Sequence, residues 1–213
     1  MSRTSSAERE GTYSLLTSAI NHPDVVNELW GIFNARSLDA LADAGVAVDA
    51  VVPRPYAPPI GPFSRFSKIP RRDDSFSYPV AHPRFVYYLP KSLLYHRTGD
   101  SIARSLRKHL GGAPDHDVVH GGHLYPDGYA MKAVAEAHDC PLTTMAQGTL
   151  LNDFDSHRRS VRRAIRKVLV ASDRVLCVSE ALEARAEYEH DHEFYLCEHC
   201  GIHFEFGEAM EFG

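Results

Sequence analysis

The sequence predicts an α/β fold built on an open parallel sheet with helices on both faces, and three observations support this. Short apolar runs of strand length alternate with longer stretches of helical periodicity. A strand, a helix and a second strand open the chain, which implies a parallel pair with a right-handed crossover. Polar turns containing glycine or proline follow the strand-length runs. Because open sheets of this kind bind ligands at the carboxyl ends of their strands, functional residues are expected in those turns.

The opening unit consists of two predicted strands and the helix between them. Residues 12–19 are predicted to form the first strand, and the valine-rich residues 46–52 the second. Residues 34–44 place their apolar side chains on one helical face, and Gly45 ends this helix. Gly31, ahead of the helix, would let backbone N–H groups approach an anion. A tight turn explains this glycine equally well.

The middle of the chain, residues 53–100, is rich in proline. Each proline removes a hydrogen-bond donor and fixes φ, so this stretch cannot form a long helix. Its aromatic content is too high for a free linker, with Phe63, Phe66, Phe76, Phe85, Tyr87 and Tyr88. We therefore predict a packed, irregular excursion on the domain surface, with a strand at residues 85–88. A helix over residues 101–110 then leads to the central strand.

The central stretch combines a short strand, a polar turn and a helix. The apolar pair Val118–Val119 is followed by a turn with glycine and proline, and by an alanine-rich helix over residues 129–137. His120, His123 and Asp127 therefore fall where ligands usually bind in an open sheet. Alternatively, His120 only ends a strand and Asp127 only caps a helix.

Two further strands are predicted, at residues 141–146 and 174–178, and each leads into polar residues at its carboxyl end. The first is followed by Gln147, Gly148 and Thr149, and the second by Ser179 and Glu180. Ser179 is the predicted N-cap of a final helix.

The helix predicted over residues 157–171 has two sharply different faces. Apolar residues recur on one face at helical spacing. Lys167 and five arginines occupy the rest, namely Arg158, Arg159, Arg162, Arg163 and Arg166. Such a run is typical of a solvated face, but it could also meet an anionic membrane surface or a phosphate-bearing acceptor.

Composition limits the function classes. The chain has 213 residues, 44% of them hydrophobic, and a net charge of −5. These values indicate one large domain with a real core and argue against a dedicated nucleic-acid binder. Residues 1–11 are polar with charges of both signs, so we expect a disordered start rather than a signal peptide. Four cysteines without a secretory signal favour the cytoplasm.

With these motifs assigned, residues 12–186 resemble the N-terminal domain of a GT-B glycosyltransferase of family 4. The matching segments, in order, are Gly31-Ile32-Phe33, His82-Pro83-Arg84-Phe85, Asp117-Val118-Val119-His120, Tyr125-Pro126-Asp127-Gly128, Gly148-Thr149 and Asp173-Arg174-Val175 through Leu182. The resemblance implies a Rossmann-like acceptor domain, one half of a GT-B fold. It also implies a substrate cleft that includes Gly31, His120, His123, Asp127, Gln147, Gly148, Thr149, Ser179 and Glu180.

The family transfers a sugar from a nucleotide-sugar to a glycan or lipid-linked acceptor, typically without a metal ion. The resemblance therefore implies a cytoplasmic protein, or a peripheral one at the inner face of the membrane. Two positions depart from the family pattern. Many members have a His-Gly-Thr motif where this chain has Gln147, and a second histidine where it has Gly122, with His123 one position later. An amide can bind a sugar hydroxyl but cannot ionise as imidazole does.

The donor-binding half of the family would begin after about residue 190, where the sequence offers no second set of strands and helices. We therefore expect a truncated or recombined chain that does not complete sugar transfer alone, and that uses a nucleotide-sugar only if a donor domain is supplied. A non-catalytic module that binds a glycan or a protein partner is the alternative.

Residues 187–213 resemble the first half of the zinc ribbon of archaeal transcription factor E. The similarity rests on Cys197-Glu198-His199-Cys200-Gly201 and on aromatic residues at both sides. A structural ribbon needs four ligands, and Cys197 and Cys200 supply two. We therefore expect an incomplete zinc site, or one that is completed across a dimer. A transcription-factor fragment is a third interpretation, against which the net acidic charge weighs.

Overall fold

A seven-stranded sheet forms the centre of the computed structural model, which describes residues 13–61, 63–88, 94–112 and 115–189. The nine strands are β1 (Ser14–Ser18), β2 (Ala47–Val51), β3 (Arg54–Pro55), β4 (Arg72–Asp73), β5 (Val80–Ala81), β6 (Arg84–Phe85), β7 (Val118–Gly121), β8 (Leu142–Ala146) and β9 (Arg174–Cys177). The order in the main sheet is β4-β5-β2-β1-β7-β8-β9. All neighbours are parallel except β4, which pairs antiparallel with β5 at the edge.

Six α-helices are found among the described residues, and they connect and cover the strands. They are α1 (Ile32–Asp43), α2 (Thr98–Leu110), α3 (Tyr129–His138), α4 (Thr149–Asn152), α5 (Arg159–Ala171) and α6 (Glu180–Glu189). Leu15 packs with Leu38 of α1, whereas its neighbour Leu16 packs with Ile102 of α2 and Met131 of α3. Successive side chains of a strand point to opposite faces, so helices cover both faces of the sheet. The predicted fold class is confirmed.

The proline-rich middle contains short strands and a 3-10 helix over Ser64–Lys68. β3 and β6 form a small parallel sheet of their own. The strand predicted at residues 85–88 is shorter than expected and ends at Phe85. The reason is that the N–H of Val86 donates to the hydroxyl of Ser101 on α2 at 3.1 Å instead of continuing a strand ladder.

The strand order reverses direction between β1 and β7. After β1, the strands β2 and β5 are added on one side of it, and the chain then returns to place β7 on the other side. The loops that follow β1 and β7 therefore leave in opposite directions, and the crevice at such a reversal is where open α/β sheets bind ligands. None of the described helices is both long and apolar enough to cross a membrane. The predicted N-terminal segment 1–11 lies outside the described residues, as does most of the predicted zinc-ribbon-like tail 187–213, including Cys197 and Cys200. Residues 187–189 of that tail are described and belong to α6.

Candidate functional site

Three loops meet at the carboxyl ends of β1, β7 and β8. The first runs from β1 to α1, the second from β7 to α3, and the third from β8 to α4. Their close approach depends on glycine. Gly31 has φ +70°, and a Cβ there would lie 2.1 Å from the carbonyl oxygen of Asn21. A Cβ on Gly122 would lie 2.6 Å from the Cβ of Ala19. A side chain at Gly31 would clash within the first loop itself, and one at Gly122 would separate the second loop from the first.

Asp127 lies at the centre of these loops and is completely buried. It belongs to an irregular helical turn, Leu124–Gly128, in which Tyr125 has extended φ and ψ. Its Oδ2 accepts the backbone N–H of Ile20 at 2.7 Å, so it joins the second loop to the first. No side-chain hydrogen bond caps the start of α3. The carboxylate therefore holds the β1 loop rather than the helix that follows it.

His123 faces Asp127 across 3.4 Å, measured from Nδ1 to Oδ2. Its other ring nitrogen, Nε2, lies 3.0 Å from the side-chain amide nitrogen of Asn21. An amide nitrogen can only donate, so Nε2 accepts and the proton of the neutral ring sits on Nδ1. The imidazole thus lies between a buried carboxylate, which it approaches to 3.4 Å without a hydrogen bond, and the first loop, to which it is hydrogen-bonded.

Gln147 connects the third loop to the other two. Its Nε2 donates to Asn34 Oδ1 and to the carbonyl oxygen of Gly122, both at 3.0 Å. Asn34, in the first turn of α1, in turn donates to the carbonyl oxygen of Asn21 at 2.7 Å. The amide at position 147 therefore fixes the relative positions of the three loops.

The structure brings together four of the predicted cleft residues and separates the rest. Gly31, His123, Asp127 and Gln147 lie in the contact network of the three loops. His120 lies outside it, because its Nδ1 is hydrogen-bonded to the hydroxyl of Thr143 on β8 at 2.8 Å. Burial, and secondarily the nearby His123, lowers the pKa of His120 to about 4.

The other predicted residues follow β8 and β9 without a described contact to that network. Gly148 and Thr149 begin α4. Ser179 is the N-cap of α6, as predicted, because its hydroxyl accepts the N–H of Leu182 at 3.3 Å. Glu180 is exposed in the first turn of the same helix.

Asn21, Asn34 and a buried ion pair were not found from the sequence. Arg54 Nε lies 2.7 Å from Asp24 Oδ2, and each side chain is 1% exposed. Arg54 also donates to the carbonyl oxygens of Ile20 and His22, at 2.7 and 2.6 Å. This guanidinium supports the β1 loop from the side opposite Asp127. In the sequence, these residues are marked only by being polar and by lying close to the ends of predicted strands and helices.

The five arginines at the start and along α5 divide into two groups, with Arg158 as the N-cap residue of the helix. Arg162 lies 3.8 Å from Asp155, and Arg166 pairs with Glu189 of α6. Arg158, Arg159 and Arg163 are exposed, and no ion pair to them is present in the described part of the chain. Only this second group remains available to an external anion. Nowhere in residues 13–61, 63–88, 94–112 and 115–189 do three metal-binding side chains cluster.

Comparison with known proteins identifies the family. The sequence model of Glycosyltransferase Family 4 matches residues 34–190. The chain belongs to this family. The matched range includes most of α1, the central unit and α5. It contains the loops after β7 and β8, whereas the loop after β1 precedes it.

Two solved structures share the fold of this family 4 chain. A protein of Listeria monocytogenes assigned as a UDP-N-acetylglucosamine 2-epimerase superposes with a TM-score of 0.52 and 11% identity, covering 84% of this chain and 42% of that protein. UGT89C1 of Arabidopsis thaliana, solved with UDP-L-rhamnose, superposes with a TM-score of 0.51 and 11% identity. The superposition covers 86% of this chain and 51% of UGT89C1. The family 4 chain thus spans about half or less of each structure.

A short stretch matches a different family of proteins. Over 34 residues the chain is 76% identical to transcription factor E of Haloarcula marismortui, and over 41 residues 63% identical to that of Halobacterium salinarum. These matches cover 16% and 19% of this chain, and 19% and 22% of the two relatives. Both resemblances predicted from the sequence are therefore found.

Proposed function

We propose that this domain is the acceptor-binding half of a sugar transferase, which binds a glycan or lipid-linked acceptor in the crevice between the β1, β7 and β8 loops. The observation that carries the proposal is the buried carboxylate of Asp127, which holds both Ile20 and His123 at the point where the strand order reverses. A carboxylate removed from water to fix a loop and a histidine is typical of a site that needs its groups prearranged.

His123 is the residue of this crevice suited to handle a proton. A hydroxyl of the bound sugar acceptor would replace the amide of Asn21 as the hydrogen-bonding partner of Nε2. The neutral imidazole can then take the proton of that hydroxyl at Nε2. The negative charge of Asp127, 3.4 Å from Nδ1, would stabilise the imidazolium that forms. The hydroxyl oxygen would then attack the anomeric carbon of the sugar, and the nucleotide would leave with the bonding electron pair.

Gln147 has a positioning role in this proposal. Its amide group already binds Asn34 and Gly122, and it cannot take a proton. It holds the three loops at a fixed separation, so that the crevice keeps its shape when the acceptor enters. Prearrangement of this kind lowers the entropy that must be lost in the transition state.

The nucleotide-sugar would be bound by a second domain. The extent of the match supports this, since the chain spans only 42% and 51% of the two structures that share its fold. We therefore propose that the present chain binds an acceptor but transfers no sugar by itself.

The test is isothermal titration of the purified chain with a panel of methyl glycosides, followed by turnover assays with nucleotide-sugars. We expect saturable binding of at least one glycoside, weakened by Asp127→Asn, and no release of nucleoside diphosphate above a blank. Asp153→Asn, on the exposed loop after α4, is the matched control and should bind like the unmodified chain. Turnover that Asp127→Asn abolishes would contradict the proposal that a second domain is needed.

A non-catalytic binding module is the second candidate, and one observation favours it. Gln147 occupies the position where an imidazole would otherwise lie, and its NH₂ group is already hydrogen-bonded to Asn34 and Gly122 within the protein. Replacing Gln147 by His separates the two candidates when a donor-binding domain is supplied. Transfer by the unmodified sequence supports the enzyme, whereas transfer by Gln147→His alone supports the binding module.

A further inference from the structure

A cavity of about 1050 Å³ opens beside the crevice. It lies between the β1 loop, the connection from β2 to β3, the 3-10 helix Ser64–Lys68 and β6 with the residues that follow it. Ligand pockets in proteins commonly measure about 300–1,000 Å³, so this cavity can take a sizeable organic group.

The cavity wall is largely apolar. Phe85 and Pro53 are buried in it, and Ile20, Val26 and Phe66 are partly buried. Around them lie large side chains exposed to solvent: Trp30 at 42%, Tyr56 at 69%, Phe63 at 51% and Leu29 at 81%. Exposed apolar residues are normal when scattered, but a contiguous group lining a concave surface marks a binding site.

The charges of the cavity favour a neutral occupant. Arg54 lines the wall, but its guanidinium is engaged by Asp24 and by the carbonyl oxygens of Ile20 and His22. Two exposed side chains of the wall, Glu28 and Arg65, carry opposite charges. The wall as a whole therefore offers no net charge to attract an ionic group.

The cavity and the crevice share one residue. Ile20 lines the cavity, and its backbone N–H is the group held by Asp127 at 2.7 Å. A ligand that fills the cavity as far as Ile20 therefore ends beside the loop that carries Asn21. The cavity and the crevice therefore adjoin at Ile20.

We infer that the cavity holds the aliphatic chain of a neutral amphiphilic acceptor, whose hydroxyl-bearing end lies in the crevice at Asn21 and His123. This rests on the proposed function only for the role of the hydroxyl-bearing end. A free glycan fits the cavity poorly, because its hydroxyls would face Phe85, Pro53 and Val26 without hydrogen-bonding partners. Burying hydroxyls in that way costs free energy, whereas burying methylenes is favourable.

Trp30 makes the inference directly measurable, because it is the only tryptophan of the chain and lines the cavity. The experiment titrates the full chain with methyl, hexyl and octyl β-glucoside below their micelle concentrations and follows tryptophan fluorescence. We expect a saturable blue shift whose affinity rises about fourfold per methylene, up to the length that the cavity holds. Because the ligands are neutral, affinity should not fall between 50 and 500 mM salt.

The matched variants are Phe63→Ser, in the cavity wall, and Phe33→Ser, which is 65% exposed on α1 and does not line the cavity. Octyl glucoside should bind about tenfold more weakly to the first and unchanged to the second. Equal affinity for methyl and octyl glucoside, or equal loss in both variants, would overturn the inference. So would a Trp30 signal that depends on protein concentration alone, since a second copy of the chain would then fill the cavity.

The outcomes also separate this inference from the proposed function. Binding that depends on chain length and on Phe63, but is unaffected by Asp127→Asn, supports the apolar site and counts against the acceptor crevice. Binding of methyl glucoside that depends on Asp127, with no gain from a longer chain, supports the crevice and overturns the cavity assignment.

Discussion

The carboxylate of Asp127 and the backbone N–H of Ile20 lie 107 residues apart in the sequence and 2.7 Å apart in space. This hydrogen bond joins the loops that follow β1 and β7, the two parallel strands between which the strand order reverses. The same carboxylate faces His123, so one buried side chain sets both a backbone position and an imidazole orientation. Its loss should affect stability and ligand binding together.

Asp127→Asn tests that relationship with little change in volume. The amide oxygen can still accept from Ile20, but the new NH₂ group replaces an oxygen in a buried position and no longer offers a charge to His123. We expect the free energy of unfolding to fall by about 1–3 kcal/mol, measured by urea denaturation. Asp153→Asn, on the surface, should stay within about 0.5 kcal/mol of the unmodified chain. An unchanged urea midpoint for Asp127→Asn would contradict the conclusion that the buried carboxylate stabilises the fold by holding the β1 loop.

Two histidines, the buried His22 and the partly buried His120, predict how stability depends on pH. Burial lowers the pKa of both His22 and His120 to about 4, below the value of about 6.5 expected in the unfolded chain. Below pH 6.5 the unfolded state therefore binds more protons than the folded state. The contribution of the two neutral histidines to stability is complete above that pH and is lost as the pH falls toward 4. Chemical denaturation at pH 7.5, 6 and 5 should show decreasing stability. His120→Gln should reduce the pH dependence, whereas a profile unchanged by it would argue against a neutral His120.

The Arg54–Asp24 pair predicts a strongly non-additive double mutant. Both side chains are 1% exposed, so removing either partner leaves a charge in the interior. We expect Arg54→Met or Asp24→Asn alone to cost about 3–5 kcal/mol of unfolding free energy. The double variant should be clearly more stable than the sum of the single losses predicts. Additive losses would mean that the two side chains do not interact as the structure describes.

Arg158, Arg159 and Arg163 predict weak, salt-dependent binding to anionic membranes. Replacing these three residues by Gln should abolish co-sedimentation with acidic vesicles at low salt. Binding by the unmodified chain should fall as salt rises, because exposed charges are screened within about 10 Å at 0.1 M. A control with the same loss of charge replaces three other exposed cations, Arg36, Lys68 and Arg71. If both triple variants lose binding equally, net charge rather than α5 is responsible.

The order of strands and helices could be predicted because it depends on local periodicity. Alternating burial on β7, β8 and β9 follows the pattern of their own residues. The partners of Asp127 could not be predicted in the same way. An aspartate between proline and glycine has the local composition of a helix cap, and only the tertiary fold brings the N–H of Ile20 to it.

The same limit applies to the amides and to the buried ion pair. Asn21, Asn34 and Gln147 come from three loops that are distant in sequence, and their contacts exist only once the loops meet. Arg54 follows a strand in a proline-rich stretch, where an arginine is usually solvated. Its burial depends on Asp24, thirty residues earlier in the chain. Neither pairing leaves a signal in local composition.

The central claim, that this family 4 domain binds an acceptor in the crevice at Asp127, is tested most directly by NMR. Backbone and side-chain amide resonances would be followed while an acceptor glycoside and, separately, a nucleotide-sugar are added to the labelled chain. We expect the glycoside to shift the resonances of Asn21, His123 and Gln147, and the nucleotide-sugar to leave them unchanged. Saturable shifts of these resonances by the nucleotide-sugar, with none from any glycoside, would contradict the claim.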